Sequence, residues 1–246
     1  MRTTLPAIEA STGAQRVCWV AAIAGSFVAL AVCGVRIVRW VDLRHWWVPV
    51  ALIAGVLLAD FWSGLVHWSA DTWGRDDLPV VGPRLLVPFR VHHVNPDDFL
   101  RRDFVDTNGD LAAIAIVPLA ALALMPLDEA WQRVAAIAGV GLCGGAMMTN
   151  QIHQWAHMPS PPRLARLLQG AGLILGRRAH AVHHDRPYDA HYCITTGWCN
   201  RPLEAIGFFR ALEWSITRVT GLRPRHDDQR YEHRYGGGIA SFAAHD

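Results

Sequence analysis

The chain has 246 residues, 52% of them hydrophobic and 18% charged, and its formal net charge is +2. A balance this close to neutral gives no reason to expect a nucleic acid or another polyanion as a partner. Several apolar runs approach the length of a bilayer span, so the composition favours a membrane protein over a soluble globular domain.

Four apolar runs predict four transmembrane helices. Residues 1–16 precede them, are polar and are expected to be disordered. The runs cover about residues 17–35, 47–68, 111–127 and 131–148. Each is close to the roughly 20 residues that a helix needs to cross hydrocarbon, although Pro118 and Pro126 interrupt the third run. The helix of the fourth run is expected to continue to His157 as it leaves the membrane.

The rest of the chain predicts interfacial helices and a loose tail. Residues 164–175 and 202–216 are amphipathic but too short or too charged to cross a bilayer, so they are expected to lie in the membrane interface. Residues 223–246 are polar and glycine-rich and are expected to be loosely ordered. The predicted fold is an all-α membrane protein, a four-transmembrane-helix bundle whose membrane domain covers residues 17–222.

The distribution of arginine predicts the orientation of this bundle. All 23 basic residues are arginine, which we interpret as the coding bias of a bacterium. Five of them lie between the second and third spans, and twelve follow His157. The positive-inside rule therefore places both termini in the cytoplasm, in a protein of the bacterial inner membrane. With four spans, the histidine clusters described next all emerge at this face as a cytoplasmic cap.

Eight of the 13 histidines form four short clusters near the ends of the spans. They are His67, His92 with His93, His153 with His157, and the trio His180, His183 and His184. A spacing of four residues places two imidazoles on one helix face, where both can reach the same metal ion. Asp71 follows His67 by four residues and shares its face. Eight neutral imidazoles are too many for one ion but suit two, so the pattern predicts a di-metal site.

The types of ligand favour iron in this site. A zinc protease would need the motif His-Glu-x-x-His, which the sequence lacks. A structural zinc site would usually include cysteine ligands, but Cys193 and Cys199 lie apart from the histidine clusters. Imidazole suits iron. Eight histidines with Asp71 match two iron ions that keep positions open for dioxygen.

Five polar side chains are candidates for supporting the metal-binding imidazoles. Carboxylates orient metal-bound histidines, and an acidic residue within a span is a functional candidate, although it can equally serve as a hydrogen-bonding partner between helices. The histidine among the five is predicted to be either a ninth ligand or a substrate contact. The candidates are Asp60, Asp106, Asn150, Asp185 and His191.

Four segments carry a resemblance to a known family. They are DFWSGLVHWSADTWG (60–74), PFRVHHVNPDDFLRRDFVDTNGD (88–110), NQIHQWAHMP (150–159) and RAHAVHHDRPYDAHYCITTGWCNRPLE (178–204). In this order they resemble the plasmanylethanolamine desaturase family, also called Kua or CarF, over residues 45–215. The resemblance implies that the eight clustered histidines and Asp71 are metal ligands. The family has an aromatic residue where this chain has His191.

The resemblance also implies an activity. A member of this family would form the vinyl-ether double bond of a plasmalogen in the sn-1 O-alkyl chain of an ether phospholipid. It would use two iron ions, dioxygen and electrons from an external cytochrome b5-like or ferredoxin-like carrier. Three alternatives stay open. The chain could be a desaturase of another membrane lipid, since a plant branch of the family acts on an acyl chain. It could also be a membrane hydroxylase, or a non-enzymatic metal-binding protein that signals in the singlet-oxygen response.

Arginine beside the histidine-rich face is expected to meet the phosphate of the lipid headgroup. The candidates are Arg90, Arg101 and Arg102. Their charge also satisfies the positive-inside rule, so both interpretations stay open at this point.

Overall fold

The computed structural model describes residues 11–236 and is all-α over this part of the chain. A π-helical segment, Gly82–Leu86, leads directly into the third α-helix. The α-helices are α1 Gly13–Trp40, α2 Trp47–Thr72, α3 Val87–Val94, α4 Pro96–Leu100, α5 Phe104–Leu124, α6 Ala130–His157, α7 Arg163–Gly170, α8 Arg177–His184, α9 Asn200–Ala205, α10 Phe208–Thr220 and α11 Asp228–Tyr235.

Side-chain caps fix where two of the long helices begin. The Thr12 hydroxyl accepts from the backbone N–H of Gln15, and the Gln15 side chain accepts from the N–H of Thr12, which is a capping box at the start of α1. The Asp103 carboxylate accepts from the N–H groups of Val105 and Asp106 in the first turn of α5. Both arrangements satisfy donors that a helix leaves without an intrahelical partner.

Four long helices form the bundle. α2 packs along α6, α1 packs along α5, and α5 packs against α6. One apolar cluster joins the C-terminal ends of α1 and α5 to the N-terminal ends of α2 and α6, and includes Ile37, Ala51, Leu127 and Ile137. Because α2 and α6 run away from this cluster, their C-terminal ends meet at the opposite end of the bundle, where their histidines lie.

Three of the four predicted spans have the length and apolar composition of a membrane helix. They are α1, α2 and α5. α6 is as long as α1, with 28 residues, but its first turn contains Gln132 and Arg133 and it ends in a polar stretch that contains its histidines. Its continuation to His157 is confirmed. α5 begins earlier than predicted and runs through Pro118 without ending there.

The short helices gather around the histidine end of the bundle. The predicted interfacial stretch 164–175 overlaps α7, and the stretch 202–216 is divided into α9 and α10 at Gly207, whose φ of 63° is left-handed. Left-handed backbone is easily adopted by glycine, so a break at this position is expected. Leu167, Ile206 and Trp214 are 72%, 72% and 69% exposed, which suits helices whose apolar side faces lipid.

Both chain ends differ from the expectation of disorder where the structure describes them. α1 begins at Gly13, and Ser11 and Arg16 contact Asp106. At the other end, residues 228–235 form α11, in which Tyr231 is only 3% exposed. The expectation for residues 1–10 and 237–246 lies outside the described residues.

Candidate metal centre

The eight predicted histidines converge on one buried region. α2 contributes His67, α3 contributes two, α6 contributes two and α8 contributes three. Seven of the eight are at most 9% exposed, and the eighth, His184, is half-buried. Burying a polar group costs free energy unless the group has a hydrogen-bonding or metal partner. The burial of eight imidazoles together therefore indicates that they share a common partner.

Five of these histidines form a first group. Its members are His92, His153, His157, His180 and His184, whose ligand nitrogens all lie within 4.8 Å of one another. The Nε2 atoms of His153 and His180 are 2.9 Å apart, and those of His157 and His180 are 3.0 Å apart. Nitrogens bound to one metal at about 2.1 Å and at right angles would be about 3 Å apart. The first group therefore has the spacing of a coordination sphere.

A second group adjoins the first and shares His92 with it. Its members are His67, His92, His93 and His183. The Asp71 carboxylate joins this group: its Oδ2 lies 3.3 Å from His67 Nε2 and 3.6 Å from both His93 Nε2 and His183 Nε2. Neither carboxylate oxygen receives a well-oriented hydrogen bond, although Asp71 is only 7% exposed. A cation among these atoms would satisfy both the carboxylate and the imidazoles.

Backbone carbonyl groups orient three of the imidazoles. His67 Nδ1 lies 3.2 Å from the carbonyl oxygen of Tyr192, and His183 Nδ1 lies 2.7 Å from that of Ala190. His92 Nδ1 contacts the carbonyl oxygen of Phe89. A carbonyl can only accept, so each Nδ1 carries the hydrogen and each Nε2 keeps its lone pair for a metal.

Burial also keeps the imidazoles neutral. It lowers the pKa of His92 to about 3, with the nearby His183 adding to the effect. Burial likewise lowers the pKa of His183 to about 4. Both rings are therefore uncharged at pH 7, as a metal ligand must be.

Asp60 is fully buried, and its carboxylate binds backbone rather than imidazole. Its Oδ1 accepts from the N–H groups of Thr195, Thr196 and Gly197 at 2.7–3.1 Å, and its Oδ2 accepts from that of Cys199 at 2.9 Å. This carboxylate holds the loop that presents the Tyr192 carbonyl to His67. Its contribution to the histidine cluster is thus indirect.

The other predicted supporting residues lie in varied places. Asn150 donates to the Thr107 carbonyl at 3.0 Å, and Asp106 accepts from Ser11 and Arg16. Asp185 is exposed at the end of α8, and His191 is half-buried with a left-handed φ of 57°. The structure brings the eight histidines and Asp71 together, whereas the carbonyls of Phe89, Ala190 and Tyr192 have no signal in the sequence because every residue carries one.

The three candidate headgroup arginines are placed differently. Arg90 is 2% exposed and donates to the carbonyls of Ala70, Trp73 and Gly74 at the end of α2. Arg101 is exposed. Arg102 lines a cavity of about 70 Å³ that also reaches His92 and His153. Burial lowers the pKa of Arg102.

Comparison with known proteins decides the family. The lipid desaturase domain matches residues 56–227, which include all eight clustered histidines and Asp71. The chain belongs to the lipid desaturase family. No solved structure matches this lipid desaturase significantly.

Three relatives illustrate the range of the similarity. The chain is 46% identical to plasmanylethanolamine desaturase of Myxococcus xanthus over 74% of its own length and 65% of that protein. It is 42% identical to plasmanylethanolamine desaturase 1 of Mus musculus over 75% of its length and 70% of the mouse protein. It is 35% identical to the chloroplastic fatty acid desaturase 4 of Arabidopsis thaliana over 70% of its length and 52% of the plant protein.

Membership in the lipid desaturase family agrees with the two features that the structure shows. The helices α1, α2 and α5 have the length and apolar composition of membrane-spanning helices, and the two histidine groups have the composition and spacing of a metal site. The resemblance predicted from the four histidine-containing segments is confirmed.

Proposed function

We propose that this chain is a di-iron, dioxygen-dependent desaturase that forms the vinyl ether of a plasmalogen from the sn-1 O-alkyl chain of an ether phospholipid. The observation that carries the proposal is the pair of adjoining histidine groups joined at His92, with Asp71 in one of them. The similarity to two plasmanylethanolamine desaturases supports the choice of substrate.

Iron fits the donor set. The orphaned oxygens of Asp71 and the unpartnered Nε2 of His92 are a carboxylate and a neutral imidazole, which together suit a redox-active first-row metal. Bound iron would supply the reduction of one dioxygen to two waters, using two hydrogen atoms (two electrons and two protons) from adjacent chain carbons and two electrons and two protons from outside. The sequence has no flavin, haem or iron–sulfur motif, so a cytochrome b5-like or ferredoxin-like donor would deliver the external electrons.

The chain itself would position the lipid. The carbons that lose hydrogen lie next to the glycerol, only a few bonds from the phosphate, so the headgroup must bind close to the histidines. Arg102 satisfies this requirement because its cavity reaches His92 and His153. Arg90 is the weakest of the three predicted candidates, since its donors are already occupied by helix carbonyls.

We further propose that all four long helices cross the bacterial inner membrane, with the histidines on the cytoplasmic side. α6 would be the fourth span, because it packs along α2 and ends at the same face. The twelve arginines after His157 favour the cytoplasm for that face.

Lipid analysis tests the function directly. We expect cells that express the wild-type chain, supplied with an O-alkyl phospholipid, to accumulate the vinyl ether. We expect His92→Ala to abolish this product because His92 belongs to both histidine groups. His45→Ala is the matched control, since His45 is exposed at the other end of α2 and should leave the product unchanged.

The similarity to a chloroplastic fatty acid desaturase favours one alternative, the desaturation of an acyl chain. A new double bond in an acyl chain, with no vinyl ether, would replace the proposed substrate by this one. Hydroxylated lipid would identify a hydroxylase. Unchanged lipids with the chain present and iron bound would contradict an enzymatic role.

A further inference from the structure

The segment Arg225–Tyr235, here called the C-terminal clasp, packs against the end of α2 that carries Asp71. The Arg225 backbone N–H donates to the carbonyl of Thr72 at 3.0 Å. Its guanidinium Nε donates to the carbonyl of Asp71 itself. The clasp therefore binds the backbone of the residue whose carboxylate faces the second histidine group.

Charge holds the Arg225 side chain in place. It is 11% exposed and pairs with Asp227 and Asp228, each at 2.6 Å. The last carbonyls of a helix lack intrahelical donors and carry partial negative charge, so a fixed cation there is stabilising. A guanidinium tethered by two carboxylates loses little freedom when it makes this contact.

Tyr231 lies at the same helix end. Two guanidinium groups approach its ring, that of Arg225 at 5.7 Å and that of Arg90 at 6.0 Å from the ring centroid, at distances typical of cation–π contacts. Its hydroxyl donates to Asp76 at 3.1 Å. Since Arg90 is on α3 and binds carbonyls at the end of α2, these contacts hold the two helices together.

The clasp also reaches α3 and the end of α8. The Asn95 side chain, which follows α3 directly, donates to the Tyr235 carbonyl at 3.0 Å. Glu232 pairs with Arg186, two residues after His184. The clasp thus ties together α2, α3 and α8, the three helices that supply His67, Asp71, His93 and His183.

We propose that the C-terminal clasp positions the second histidine group for metal binding, with Arg225 as the positioning residue for Asp71. This inference rests on the proposed di-iron site. The first group depends less on the clasp: α3 and α8 carry its His92, His180 and His184, but α6, a 28-residue helix packed along α2 and α5, carries His153 and His157. Asp71, whose backbone Arg225 binds, contacts histidines of the second group. Loss of the clasp should therefore weaken one ion selectively.

Iron content per purified full-length chain tests this selectivity. We expect two irons in the wild type and about one in Arg225→Ala and in Tyr231→Ala, with the weaker ion bound at least about tenfold less tightly, as when an outer partner of a ligand is lost. Arg223→Ala is the matched control: it removes an exposed arginine two residues away and should keep both irons. Far-UV circular dichroism would check that the helices are unchanged.

Retention of both irons at wild-type affinity in Arg225→Ala would overturn the proposal. Parallel loss of both irons would overturn it too, since that is the behaviour of a general folding defect. If Arg225→Ala does not fold, Arg225→Gln, which removes the cation and its pairs with Asp227 and Asp228, should still show selective loss, and two retained irons would be decisive against the clasp. A wild-type chain with fewer than two irons would instead overturn the di-iron function.

Discussion

The buried carboxylate of Asp60 supports the histidine site through a loop, without contacting the histidines itself. A carboxylate within a membrane helix is costly unless it is well partnered. The Asp60 carboxylate is stabilised by four hydrogen bonds, which it accepts from backbone N–H groups of the loop 195–199. That loop leads back to the Tyr192 carbonyl, which fixes the tautomer of His67.

Asp60→Asn should therefore destabilise the fold. An amide offers one acceptor oxygen instead of two, and its NH2 group would face the N–H of Cys199. Leaving buried donors unsatisfied costs about 2 kcal/mol, more where the original acceptor was charged. The expected result is a loss of about that size in the free energy of unfolding, measured by thermal or denaturant unfolding in detergent.

Asp77→Asn is the matched control for this change. Its carboxylate is 59% exposed and pairs with the neighbouring Arg75 at the surface, so little change in stability is expected. If Asp60→Asn were as stable as the control, the loop would be held by something other than the carboxylate.

Close packing between α2 and α6 sets the distance between their histidines. A Cβ on Gly55 would come within 1.9 Å of the Ala138 carbonyl oxygen, and one on Gly141 within 2.6 Å of that of Leu52. The four-residue spacing of Gly141 and Gly145 in the sequence permits such packing. Which helix meets them, and the role of Gly55, follow only from the assembled bundle.

Gly55→Ala should force these two helices apart. The expected cost is about 1–3 kcal/mol of unfolding free energy from overpacking, together with reduced iron content because His67 and His153 separate. Gly34→Ala, with no neighbour within 4 Å of its Cβ, should keep or slightly raise stability, since alanine is the better helix former. Equal stability and iron content in the two variants would contradict this account of the α2–α6 contact.

The two ends of the whole molecule differ chemically. The histidines, the clasp and twelve arginines lie after or beside the C-terminal ends of α2 and α6, whereas the turn with Asp128 and Glu129 lies at the other end. The proposed topology puts the first end in the cytoplasm. This orientation is inferred from the charge distribution. The helix packing alone does not decide it.

Thiol labelling tests this orientation. In a chain whose five cysteines are replaced by serine, a membrane-impermeant maleimide should label Asp128→Cys in intact cells. Arg223→Cys should react only after the membrane is opened. Both positions are exposed, so accessibility to the reagent depends on the side of the membrane. The reverse pattern would place the histidines outside the cytoplasm.

The long helices and the types of ligand could be predicted from the sequence, because apolar run length and four-residue spacing are local properties of the chain. The sequence therefore predicted α6 as far as His157, and the eight histidines with Asp71 as candidate ligands. Contacts between distant segments could not be predicted, because they depend on how the helices pack. In the assembled bundle the histidines form two groups that share His92. Arg90 binds carbonyls at the end of a helix, and part of the tail that was expected to be loose forms the C-terminal clasp beside Asp71.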